Sequence, residues 1–507
     1  MGGVKVAVFD VTPNIGGNKL VPGNGASITN EAVSIRAINS CDNATSISKN
    51  GIYTYIPFEG KTFPLIEVTV RAENLFGISV TATQGETVVS GTTNADGIAT
   101  LEVSAFGPWA VQATYGDITN VETIYVTHAD MYSVGLSLFP ATIFGVVWDM
   151  SNSSPEMKRL TSENDPNGYV NNTVSSEPSP AVGTGGGSSP FDNYLPWMGM
   201  KEVNIVDRDI IDQDNPLFTR TANDTMVYIP PFYYKIISSE DMIYFYIADN
   251  KISGFELHPG SNTYVARYRV KIENGVFTSK SGGTPSYGSS FNADYARSYA
   301  TKKGSGWQIF DYSTWCAIFL LYAVEFADWR SQALIGPGQV NASAGAPNGA
   351  TDDMIYHTGK KTASTSSSPM QYRGIEELWG SYRQLTDGVN KLNGNMYICL
   401  DPTKYGGSMP TDYIDLGPFS SNSGYITRLN VIDTYNWCVL PDQSGGSSST
   451  YIPDRANIRN ASESIYMSVT GGDWNDDTDA GIGYFLTNDS PTVGTSCRIE
   501  YRAPKGA

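Results

Sequence analysis

Only one stretch of this 507-residue chain, Tyr312 to Asp328, sets apolar residues at helical spacing. Ile318, Leu321, Tyr322 and Glu325 share a face there, and apolar residues surround most of the cylinder, so the spacing predicts a buried helix. Everywhere else the apolar runs are short, alternate with polar residues and stop at Gly, Asn, Asp, Ser or Pro. A chain punctuated in this way closes its cores through short strands and turns, and the expected fold class is mainly β with some α. Charged residues make up only 17% of the chain, which leaves little material for long solvent-exposed helices. The length exceeds what one hydrophobic core supports and predicts two to four domains.

The pattern is clearest after Ile66. Ile66, Val68 and Val70 alternate with polar residues, and further short runs follow at Ile78 and Val80, Leu101 and Val103, Trp109 and Val111, and Val121 to Val126. Strands recurring roughly every 8 to 12 residues between turn signals describe a small antiparallel sandwich over residues 65–140. Its turn Asn94-Ala95-Asp96-Gly97 lies in a stretch, Gly91 to Leu101, that resembles a signature of carboxypeptidase-regulatory-like, immunoglobulin-like modules, where it is a structural turn. Residues 1–64 alternate short apolar runs with Gly- and Asn-rich turns and read as an N-terminal β attachment module. Residues 141–190 are expected to be a linker: 151–190 is rich in Ser, Asn, Pro and Gly, too poor in apolar residues to offset its ordering entropy, and ends in Gly183-Thr184-Gly185-Gly186-Gly187-Ser188-Ser189-Pro190. Residues 191–507 then form one large irregular domain. In it Val227 to Lys235 reads as a strand broken at Pro230-Pro231, and long Gly- and Ser-rich loops run through 338–370, 401–424 and 441–450.

A formal net charge of −18 repels polyanions and argues against nucleic acid as a partner. Cys41, Cys316, Cys399, Cys438 and Cys497 are odd in number, widely spaced and form no CxxC pair, so neither a disulfide framework nor a zinc site is expected. The start Met1-Gly2-Gly3-Val4-Lys5 has no basic stretch before an apolar core and is not expected to be a secretory signal. The run Trp315 to Val324 is shorter than a membrane span, so no membrane insertion is expected.

Several phrases after residue 190 resemble the formylglycine-generating-enzyme-like branch of the C-type lectin fold, as found in phage tail and tropism proteins. They are Phe191-Asp192-Asn193-Tyr194-Leu195-Pro196-Trp197-Met198-Gly199-Met200, Tyr228 to Lys235, Gly254-Phe255-Glu256-Leu257-His258-Pro259, Gly306-Trp307-Gln308, the helix with Glu325, Ser331 to Gly336, Arg373-Gly374-Ile375-Glu376-Glu377-Leu378-Trp379-Gly380 and Gly471-Gly472-Asp473-Trp474. The resemblance implies a C-type-lectin-like α+β receptor-binding domain. It further implies a virion protein of tail-fibre or tail-tip type, assembled in the host cytoplasm, with a bacterial surface receptor (glycan or protein) and other virion proteins as partners, and a homo-oligomer, commonly a trimer. In some such proteins a retroelement diversifies a C-terminal region, which corresponds here to about Trp474 through Thr495. A structural virion protein without a receptor is the alternative, and a polysaccharide-degrading enzyme a third class.

The expected receptor-binding residues are Trp474, Asn475, Asp476, Asp477, Asp479, Tyr484, Thr487, Asn488, Asp489, Thr492 and Tyr425. Tyr and Trp offer large contact area at low side-chain entropy, and short polar residues add adaptable hydrogen bonds. Substituting Asn-type codons yields this same set of polar residues, and an ordinary polar surface has the same composition. Asp473, Asn475, Asp477 and Asp479 also place oxygens at positions 1, 3, 5 and 7 of a calcium-type loop. That loop lacks its Gly and ends at Tyr484 instead of a bidentate Glu, so calcium is the one cofactor to test and otherwise none is expected. Catalysis is not expected. The fold's enzymes use a cysteine pair near the C-terminus, where this chain has Cys497 alone, and His128, His258 and His357 form no local motif. Glu376 and Glu377 are adjacent and cannot flank one glycosidic bond.

Overall fold

A computed structural model describes residues 9–12, 19–22, 46–48, 52–54 and 64–503, apart from 73–74, 117, 128–130, 139–140, 208, 290, 407–410, 460–465 and 489–493. The fold is mainly β with some α and forms two compact units, Met1–Pro140 and Ala141–Ala507. Of the expected attachment module, only two hairpins are described, Phe9–Thr12 with Lys19–Pro22 and Ser46–Ser48 with Ile52–Thr54. The rest of it, with Cys41, lies outside the described residues.

Residues 65–137 form a two-sheet sandwich. One sheet orders Ile118–Val126, Gly107–Tyr115, Ser79–Gln84 and Thr87–Thr92; the other orders Met131–Ser137, Leu65–Arg71 and Ile98–Glu102. The period-two pattern works as the pleat demands, with Ile66, Val68, Val80, Leu101, Trp109 and Val111 all buried between the sheets. Asn94 closes its turn by accepting from Asp96 N and Ile98 N, both at 2.9 Å. Gly97 sits at φ +77°, where a Cβ would lie 2.5 Å from Val70 O.

In the second unit, the helix α2 (Tyr312–Phe326), which follows the shorter α1 (Ala293–Thr301), is buried at every residue and forms the centre of the core. It starts at Asp311, whose carboxylate accepts from Ser313 N at 2.6 Å, and stops at Ala327 in the left-handed region, one residue before the expected end. Sheets lie around it. One orders Lys158–Arg159, Ile143–Asp149, Met242–Ala248, Tyr233–Ser239 and Glu256–Leu257. A second includes Glu202–Val206, Asp224–Ile229, Thr263–Ala266, Ile499–Tyr501 and Trp307–Ile309. The largest contains Arg383–Leu392, Tyr466–Thr470, Phe485–Asn488, Ile452–Ile458 and Asn422–Val431. Pro230-Pro231 does not merely interrupt a strand: Asp224–Ile229 and Tyr233–Ser239 belong to different sheets, and the prolines mark the transfer.

The expected linker at 141–190 is corrected. Ile143–Asp149 is an inner strand, paired with Met242–Ala248 on one side and Lys158–Arg159 on the other. The segment after it drapes over the core, burying Met157, Leu160, Val170 and Ala181. It also completes α2, because Arg159 donates to Val324 O at 2.8 Å and to Glu325 O at 2.6 Å, satisfying carbonyls the helix end leaves open. Its turns saturate themselves: Asp165 accepts from Asn167 N, Tyr169 N and Val170 N. A few apolar anchors on a preformed sheet suffice where average composition predicts disorder.

Glu325 turns a wholly buried carboxylate toward Arg373, which donates to it through Nη2 at 2.6 Å and Nε at 2.8 Å. Ser189 Oγ and Tyr372 Oη complete its shell at 2.8 and 2.9 Å. Removing one partner strands the other charge, so Glu325→Ala should lower stability by about 3–5 kcal/mol in denaturant titrations, and Glu325→Met/Arg373→Met should recover most of it.

His258, fully buried against Phe232 and Tyr234, is held neutral, its pKa pushed down to about 3 by burial and then by Arg502. The unfolded chain takes up this proton near the ordinary value of 6.5, so the contribution present above pH 6.5 is lost progressively as pH falls to about 3. Denaturation midpoints of His258→Gln should therefore fall less steeply across that window than those of the wild type.

Candidate functional site

The loop 473–480 is held from behind by one arginine. Arg383, first residue of Arg383–Leu392, donates to Asp476 Oδ1 at 2.6 Å and Oδ2 at 3.1 Å, to Tyr484 Oη at 3.1 Å, and faces Asp473 Oδ2 at 3.3 Å. Asp473 and Asp476 interlock, Asp473 N donating to Asp476 Oδ2 at 2.8 Å. Burial, then the charge of Asp476, raises the Asp473 carboxyl above its ordinary value, and Arg383 offsets this. Gly472 enters the loop at φ +80°, where a Cβ would stand 2.7 Å from that of Ala480.

Backbone bonds fix the rest. Trp474 N donates to Ser381 O, Ala342 N to Trp474 O, and Asp477 N to Val340 O, each at 3.0 Å. Gln332 Nε2 donates to Asp477 O and Ala480 O at 2.9 and 2.7 Å. On this ledge Trp474 is half-buried and meets Tyr382 edge-on at 5.2 Å and Tyr287 at 6.0 Å, while the two tyrosine rings lie 4.8 Å apart. Tyr382 is buried, and Tyr287 is 45% exposed. Asn475, Asp477 and Thr478 are exposed beside them, and Tyr425 Oη shares a hydrogen bond of 3.0 Å with Thr478 Oγ1. Arg455 donates to Asp479 Oδ2 at 2.9 Å. The result is a patch of aromatic and short polar side chains fixed by bonds to neighbouring segments.

The fold thus brings Trp474, Asn475, Asp476, Asp477, Asp479 and Tyr425 together. Two expected contact residues are corrected. Tyr484 is 2% exposed, facing inward to Arg383, and Thr487 is 1% exposed, its Oγ1 accepting from Arg459 N at 2.9 Å. Asn488 pairs with Met467 at the end of its strand, whereas Asp489 and Thr492 lie outside the described residues. The calcium arrangement is also corrected. Asp473 is buried on Arg383 and Asp479 is bound to Arg455, and no group of three or more His, Cys, Asp or Glu among the described residues could hold a metal ion.

Tyr287, Arg383 and Arg455 escaped the sequence reading. Tyr287 stands in the loop Pro285-Ser286-Tyr287-Gly288, and no local pattern signals that it would meet a residue almost 190 positions away. Glu376 and Glu377 are buried structural acceptors. Glu376 takes Gly349 N and Thr351 N, and Glu377 takes Gln339 N and Met370 N. The four described cysteines are free and buried. No helix among the described residues is long and apolar enough to cross a membrane.

No protein family and no curated protein matches the chain. Among solved structures, the Bacillus anthracis TIE protein is similar at 10% identity and a TM-score of 0.14, covering 25% of this chain and 30% of its own length. A Major Tropism Determinant P3c variant is similar at 11% identity and a TM-score of 0.25, covering 94% of this chain and 96% of its own.

Releasing the Arg383 anchor should loosen the loop alone. In Arg383→Met, amide exchange is expected to rise through 473–480 and stay unchanged in α2. Calcium titrated into the wild type should give no saturable heat, since Arg383 engages Asp473 and Asp476, Arg455 engages Asp479, and Asp477 is left as a lone exposed carboxylate.

Proposed function

We propose that the chain is a virion protein of tail-fibre or tail-tip type that attaches a phage to a bacterial surface receptor, through the face built around Trp474. The observation that carries this reading is the Trp474–Tyr287–Tyr382 cluster, set on a loop whose backbone is bonded to three other segments and flanked by exposed Asn475, Asp477 and Thr478. Partly exposed aromatics held in place lose little entropy on binding, and they are the side chains that most often dominate contact energies. Near the face, Asp473, Asp476 and Asp479 are held by arginines and Asp477 stands exposed by itself, an arrangement that favours binding over catalysis.

A formylglycine-generating-enzyme-like C-type lectin fold for residues 191–507, an immunoglobulin-like module before it, trimeric assembly and contacts to other virion proteins belong to the same proposal. Trimers would multiply a modest single-site affinity. If a retroelement varies the C-terminal region, exposed Asn475, Asp477 and Thr478 can change freely, whereas Tyr484 and Thr487 are constrained by their buried partners.

The test is adsorption of the purified full chain to a panel of bacteria, with competition against infection of any strain it binds. Trp474→Ala and Tyr287→Ala should each weaken adsorption at least tenfold, equivalent to about 1.4 kcal/mol, with unchanged thermal unfolding. A protein that neither adsorbs nor competes would instead be a structural component of the particle.

A further inference from the structure

A second concavity shares no residue with the Trp474 face. It encloses about 280 Å³ and is walled by Tyr234, Tyr435 and Trp437, with Leu257 and Leu400 also lining it. That size lies near the lower end of small-molecule pockets, roughly 300–1,000 Å³. Both leucines are unusually bare for large apolar side chains, at 50% and 51% exposure. Glu256, paired opposite Tyr234 across two strands, brings an exposed carboxylate with no hydrogen bond or ion pair among the described residues. The indole N–H of Trp437 likewise has no partner among them, although the residue lines the cleft.

The remaining polar groups are preset. Asp311 accepts from Ser313 N and from Tyr405 Oη. Arg502 donates to Glu500 at 3.0 Å, to Pro259 O at 2.9 Å and to Ser313 Oγ at 3.1 Å. Tyr234 donates to Asn436 Oδ1 at 2.7 Å and rests edge-on against the buried His258 ring at 4.9 Å. The aromatic wall is therefore rigid, while a free acceptor and a free donor remain beside it.

We infer that this cleft is a binding site for a neutral saccharide of one or two rings. A pyranose presents apolar C–H faces that lie on aromatic rings, and hydroxyls that both donate and accept. The free Glu256 carboxylate and Trp437 N–H match those two roles. Glu256, Asp311 and Glu500 together outweigh the single positive charge of Arg502, which Glu500 and Asp311 both face, so phosphorylated and sialylated ligands are repelled. Recognition here needs no metal ion. The inference does not rest on the role of the Trp474 face.

Saturation-transfer NMR on the full chain tests it, with glucose, galactose, N-acetylglucosamine, cellobiose, lactose and chitobiose as probes. At least one probe should receive transfer. Its affinity should drop tenfold or more in Glu256→Ala, whose exposed side chain supports no other group, and in Tyr435→Ala, but stay unchanged in Trp474→Ala. Transfer to none of the six probes overturns the site, as does a signal equal in wild type and both cleft variants. Loss of cell adsorption in Trp474→Ala with sugar binding intact would separate the two faces; adsorption failing in the wild type leaves the sugar result standing by itself.

Discussion

The ion pair between Glu325 and Arg373 is the constraint around which the second unit is arranged. Two charges placed in the driest part of the core are tolerated only if each is fully met, and that requirement dictates which segments converge. Glu325 arrives on α2, Arg373 on the turn between Met370–Tyr372 and Ile375–Glu376, and Ser189 from the end of the draped segment. Arg373 also donates to Trp197 O at 3.2 Å, and Trp197 donates to Leu321 O on α2 at 3.2 Å. An all-apolar helix could rotate or slide at little cost; a helix with one buried carboxylate has a single seating.

A second polar layer extends this logic toward the Trp474 face. Arg267, Arg269 and Arg498 are all buried and bond to Glu202, Gln384 and backbone carbonyls of Gly374, Glu376, Glu377 and Tyr382. Burial raises the Glu377 carboxyl to about 8, while burial and then the neighbouring Arg269 push Arg498 well below its ordinary value. The layer clamps the segment 374–384 from which Arg383 emerges. Rigidity in the loop is thus inherited from a charged interior and not from the loop's own sequence. Loops held this way present a surface with little ordering cost left to binding.

Much of this was legible in advance. Period-two alternation located the sandwich strands, and the unbroken apolar surface of Tyr312–Phe326 located the buried helix, because both signals are local and burial is what creates them. The draped segment departs from what its composition implies because its stability comes from contacts with strands far away in sequence. In the C-terminal loop the residue types were informative but their facing was not. Trp474 and Asn475 lie outward while Tyr484 and Thr487 turn inward, and in the acidic run with calcium-loop spacing Asp473, Asp476 and Asp479 are paired with Arg383 and Arg455.

Local patterning alone determined that this chain would be mainly β, would bury one helix and would carry polar, aromatic loops near its C-terminus. Which of those loop residues face solvent, which carboxylates are already paired, and that Tyr287 joins Trp474 were decided only by the tertiary fold. The reason is physical: strand and helix periodicity reflect burial within a few residues, whereas charge pairing and aromatic clustering depend on side chains brought together from across the chain.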